Sequence, residues 1–114
     1  MDSILTSIKK LLGISEDDHY FDETIVMHIN EAFMVLTQIG VGPSSGFVVT
    51  DDTTPWSDFI PDESAVRAEW IKTYIYLRVK LMFDPPSNQA LLQSINNQIS
   101  EYEWRLHVAA ESEV

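Results

Sequence analysis

An all-α fold, a small bundle of about four helices, is what this sequence predicts, and three observations carry the prediction. Apolar residues recur with helical period in four separate segments. A glycine or a proline pair stands at the end of each of the first three: Gly13, Gly40 and Pro85-Pro86. Between the second and third segments the period disappears, which isolates one long loop over 41–61.

In the first segment Ile4, Leu5, Ile8, Leu11 and Leu12 form one stripe of a short helix. Asp2 or Ser3 can cap its start, and Gly13 sits where a left-handed stop residue belongs. A polar, acidic connector, Ser15 to Phe21, follows. The second helix is expected from Asp22 to Gly40, with Ile25, Val26, Ile29, Ala32, Phe33, Leu36 and Ile39 inside about 140° of arc. Met27 and Met34 fall on its opposite face.

The loop 41–61 opens with Gly42-Pro43-Ser44-Ser45-Gly46, a turn-rich run. Phe47 to Thr50 fits a short strand, and Asp51-Asp52 a turn, so a small β-hairpin is one reading of this segment. It is expected to be the least ordered internal part of the chain. The third helix is expected from Asp62 to Phe83, its acidic start favourable beside the helix N-terminus and its end fixed by Asp84-Pro85-Pro86. The fourth is expected from Ser87 or Asn88 to Val108, with the stripe Leu91, Leu92, Ile95, Ile99, Tyr102 and Leu106. Residues 1–108 then make a single helical domain, and 109–114 a flexible acidic tail.

Composition narrows the function. The chain has no cysteine, which excludes disulfides, thiolate nucleophiles and cysteine-ligated zinc. His19, His28 and His107 are scattered and fit no metal-ligand spacing, and no phosphate-cradling loop or nucleophile elbow occurs. No catalytic, cofactor or metal site is therefore expected. No apolar run reaches the roughly 20 residues of a membrane helix, and the start Met1-Asp2-Ser3 lacks a signal-peptide layout, so a soluble protein made in a cytoplasm is expected. A formal net charge of −11 opposes direct binding to phosphate backbones, which draws its affinity from Lys and Arg.

The third helix is the unusual one. Val66, Trp70, Leu77 and Leu81 share one side, and Ile71, Ile75, Val79 and Met82 another, together spanning more than about 200°. Such a helix is central in a bundle or partly covered by another chain. Arg67 and Arg78 fall within that arc and need partners, either acids of a neighbouring helix or acids of a neighbouring subunit, for which Glu16 to Glu23 offers candidates. Met27, Met34, Trp70, Trp104, and Trp56 and Phe59 in the loop complete a set expected to contact a partner or a second subunit.

The helix order, Leu11-Leu12-Gly13-Ile14, the segment Tyr74-Ile75-Tyr76-Leu77-Arg78-Val79-Lys80 with its Phe83-Asp84-Pro85-Pro86 stop, and the closing Glu101-Tyr102-Glu103-Trp104-Arg105-Leu106 resemble the head–tail connector (adaptor) proteins of long-tailed bacteriophages and prophages. The resemblance implies a structural virion protein at the head–tail interface. It would form a ring of about twelve subunits under the portal protein, beside head-completion or tail-side connector proteins. DNA would pass through the channel without specific binding. A second reading of the same composition is an acidic helical module, regulatory or antitoxin-like, that masks a basic partner.

Overall fold

A computed structural model describes residues 3–60 and 66–112. The expected start of the third helix at Asp62, and Glu113 and Val114 of the expected tail, lie outside the described residues. Four α-helices follow in order: α1 (Ile4–Leu11), α2 (Asp22–Gln38), α3 (Val66–Phe83) and α4 (Gln89–Ser112). α1 packs on α2, and α3 packs against both α2 and α4.

Local chemistry sets the helix ends. The Ser3 hydroxyl accepts from the Thr6 N–H and caps α1, while Lys9 and Lys10 suit the negative C-terminal end of its dipole. Both α1 and α2 finish in a Schellman motif. After α1, Gly13 at φ +81° donates to Lys10 and Ile14 donates to Lys9. After α2, Gly40 at φ +91° donates to Thr37 and Val41 donates to Leu36. Asn88 caps α4 by accepting from the Leu91 N–H at 3.1 Å.

α4 continues past the expected end at Val108, so residues 109–112 are helical rather than tail. Alanine is the strongest helix former, and here Ala110 packs on the core while the site of a Cβ at Gly40 lies 3.6 Å from the Ala110 Cβ. The His107 Nδ1 also bonds to the Ile39 carbonyl at 2.8 Å, which ties this end of α4 to the end of α2.

Residues 41–60 are irregular, as expected, but they are not loosely attached. Val41, Val49, Trp56, Phe59 and Ile60 are all buried. The Asn30 side chain donates to the Val49 carbonyl at 2.9 Å and accepts from the Val49 N–H at 2.7 Å, replacing a sheet partner. That pairing satisfies the polar backbone of a buried residue. No strand forms over Phe47 to Thr50; the described residues hold a single isolated bridge, Ser3 with Pro55, and a 3₁₀ turn at Trp56–Asp58. Phe33, Phe47 and Phe59 pack edge-on or tilted with centroids 4.7–5.1 Å apart. Gly42 is required beneath them, since at φ +86° a Cβ would collide with the Phe59 ring.

Candidate assembly surface

The width of the apolar arc on α3 has an internal explanation. Ala68, Ile71, Tyr74, Ile75, Leu77 and Val79 are buried because the helix is clasped on two sides, by α2 and by α4. A helix flanked in this way buries more than the single stripe of a surface helix. Its two ends stay open: Val66 and Met82 are exposed.

Arg78 sits in the clasp and finds its acids within the chain. Its Nη1 donates to Glu103 Oε2 on α4 at 3.2 Å, and its Nη2 lies 3.9 Å from Glu31 Oε1 on α2. These are the acids of neighbouring helices that the first of the two readings expected. The fully buried Tyr74 donates its hydroxyl to the same Glu103 oxygen at 2.7 Å, and the guanidinium lies 5.9 Å from the Tyr74 ring centroid. Burial, then the Glu103 hydrogen bond, push the Tyr74 hydroxyl far above its ordinary pKa, outweighing the opposite pull of Arg78. Tyr74 is therefore a fixed donor at any ordinary pH. Arg67 is half-buried at the other end of α3.

The remaining residues of the expected contact set separate into two groups. Trp56 and Phe59 are buried, at 3% and 6% exposure, and belong to the chain's own core rather than to a free surface. The Trp56 indole N–H donates to the Ser7 hydroxyl at 3.0 Å, and Lys72 Nζ lies 5.5 Å from its ring centroid. The reason is that the loop folds back over α1 and α2, which an aperiodic sequence does not announce. Met27, Met34 and Trp104 are exposed on the outer faces of α2 and α4. Trp70 is half-buried, with the Arg105 guanidinium 5.9 Å from its ring centroid. It borders an open groove between α3 and α4 of about 410 Å³, lined by Thr73, Gln98, Glu101, Tyr102 and Arg105 as well.

Two features escaped the sequence reading. Lys9 is 2% exposed, with Nζ 2.8 Å from Asp22 Oδ1 and 3.3 Å from the Glu16 carbonyl. Its position beside Ile8 and four residues after Leu5, on the apolar stripe of α1, was the available signal. At the second, Tyr20 is exposed and stacks edge-on with Phe21, which meets Phe83 at the end of α3. Adjacent aromatics ending a polar connector were the hint. Asp22 also receives His19 at 2.8 Å. Burial alone would raise the Asp22 pKa, but the hydrogen bonds and charges of Lys9 and His19 hold it below the usual carboxylate value of 3.8.

Among the described residues no three His, Cys, Asp or Glu side chains converge to hold a metal ion, and no helix is long and apolar enough to cross a membrane. What the surface offers is exposed apolar groups on α2 and α4 and the groove beside Trp70. The profile of the phage connector protein family matches residues 4–113. The chain belongs to that family, a structural one, and its role is that of a connector between phage head and tail. No curated protein and no solved structure matches the chain.

Proposed function

We propose that this connector works as a ring of identical copies, docked under the portal protein and against head-completion or tail-side components, so that the ring continues the DNA channel. The observation that carries the reading is the placement of Met27, Met34 and Trp104, exposed at 60%, 64% and 67% on the outer faces of α2 and α4 of a family member. Large apolar groups left exposed on two helices of a small bundle suit repeated contact with neighbours. The Trp70 groove extends the α4 margin. Arg78 joins α2, α3 and α4 so that a neighbour meets a rigid wall.

Charge supports the same reading. Lys9, Lys80, Arg78 and Arg105 are each paired with an acid of this chain, which leaves an acidic exterior. An acidic wall repels the phosphate backbone and lets DNA pass without adhering.

The test is the mass of the full chain by light scattering across a concentration series, alone and with the portal protein of the same phage. Ring-sized species, or portal-bound copies in a fixed multiple, are expected. A chain that stays monomeric in both conditions overturns the reading, and capture of a basic protein by that monomer would favour the masking module. Duplex DNA should show no measurable binding at physiological salt.

A further inference from the structure

Charged residues are spread along the whole sequence except in two long stretches. No charged residue lies between Glu31 and Asp51, and none between Asp84 and Glu101. The first stretch holds the C-terminal half of α2 and the start of the loop, where Met34 and Val48 are exposed at 64% and 65%. The Asn30–Val49 bonds and the Phe33–Phe47 contact hold the loop alongside this half of α2. The second stretch holds the turn after α3 and the first half of α4. There Leu91 is exposed at 53%, beside exposed Gln93, Asn96 and Asn97. Both stretches belong to helices that flank α3.

Copies that each carry −11 repel one another, and the repulsion is least where the touching surfaces carry no charge. A ring also needs two different surfaces on every copy, because the contact is head to tail rather than self-matched. The chain supplies two surfaces of low charge, one edged by Glu31 beside Arg78 and the other by Glu101 paired with Arg105, and their chemistry fits. Methionine adapts its shape to what it meets. Asparagine and glutamine side chains both donate and accept, so they can satisfy backbone and side-chain polar groups on a neighbour. The Gln93–Asn97 bond at 3.0 Å uses one donor and one acceptor of the pair, and the exposed amides carry more.

We infer that, in the assembled ring, the amide face of α4 around Gln93 and Asn97 packs against the Met34–Val48 surface of the next copy. The inference rests on the ring reading above and names the partner of each face: a second copy of this chain.

The experiment uses charge with a sign. The full-length variants are Gln93→Glu with Asn97→Glu, Gln93→Lys with Asn97→Lys, Met34→Glu, and Met34→Glu combined with Asn97→Lys. Assembly is read by light scattering, with the portal present if the free chain is monomeric, and folding is read by thermal melting. All four should melt near the wild type, because the altered side chains are exposed. The double glutamate and Met34→Glu should each weaken assembly by about tenfold or more, since each puts an unpaired negative charge into a contact between copies that already repel one another. The double lysine should assemble at least as well as the wild type, and Asn97→Lys should rescue Met34→Glu. A wild type that assembles, with glutamate variants assembling equally well, overturns this contact and leaves the ring standing. Loss of assembly in the Met34→Glu variant without rescue by Asn97→Lys also overturns the pairing of these two faces. A wild type that remains monomeric with and without portal removes the ring reading and this contact together.

Discussion

Residues 41–60 and α4 are opposites in a useful way. The loop has one 3₁₀ turn and no strand, yet it buries Val41, Val49, Trp56, Phe59 and Ile60. α4 is the longest of the described helices, at 24 residues, and among its described side chains only Ile95, Ile99 and Leu106 are buried. Regular backbone and buried side chain are thus separate properties here. A helix satisfies its own backbone hydrogen bonds and can stand at the edge of a bundle with little cover. An irregular segment can enter a core only if something else satisfies its polar backbone. Asn30 does that for Val49, and the Thr54 carbonyl accepts from the Ile4 N–H at 2.9 Å where the loop meets α1. The pinned loop steadies the core, and the edge helix leaves most of its surface in solvent.

The largest expected effect tests the burial side of the contrast. Phe59→Ala should destabilise the free chain by about 3–5 kcal/mol, the usual cost of emptying an aromatic site in a core. Trp104→Ala, the same kind of truncation on α4, should stay within about 0.5 kcal/mol because its ring is already in water. Urea unfolding of both variants measures the difference, and equal losses would break the comparison.

A smaller effect isolates the clamp. Asn30→Ala leaves the Val49 N–H and carbonyl without their partner, at a cost of about 1–3 kcal/mol. Native-state hydrogen exchange should find the Val49 amide protected in the wild type and fast in the variant, with Ser44 and Ser45 fast in both. A Val49 amide that exchanges freely in the wild type would mean that the loop is not pinned there.

Acid sharpens the comparison at the other end of α1, where a connector of the same polar character is fastened by charge. The pKa of Asp22 is lower folded than unfolded, so its ionisation stabilises the fold above about 3.8, the unfolded value, and that contribution is lost as pH falls through the lower folded value. Asp22→Asn should therefore flatten the loss of melting temperature below pH 4 while lowering stability at neutral pH. An unchanged acid limb would show that Lys9 and Asp22 do not hold the connector.

The smallest effect concerns the far end of α4. Ala110→Gly should cost about 1 kcal/mol or less, with a slight fall in helicity by circular dichroism. No change at all would return residues 109–112 to the tail that the acidic composition suggested.

Much of the architecture was legible in the residues. Gly13 and Gly40 marked their helix ends because a left-handed residue closes a helix wherever it falls. Pro85-Pro86 ended α3 for an equally local reason, and Asn88 opened α4. The all-round apolar pattern of α3 correctly placed it at the centre or under cover. The contact residues were harder. Trp56, Phe59 and Trp104 are all aromatic residues off any apolar stripe, and nothing within a few positions of each separates the two that are buried from the one that is not. Lys9 stands in the last turn of a helix, and its burial depended on Asp22 arriving across the connector.

By itself, then, the sequence determined most of the helix ends, since capping and turn formation act within a few residues, and its resemblance pointed to the family whose profile matches residues 4–113. Only the tertiary structure decided which surfaces are spent inside the chain. Trp56 is buried with a partner 49 positions away in Ser7, and Arg78 is paired with Glu103, 25 positions on, because the helices fold back on one another. The exposed faces of α2 and α4 are what that folding leaves in solvent.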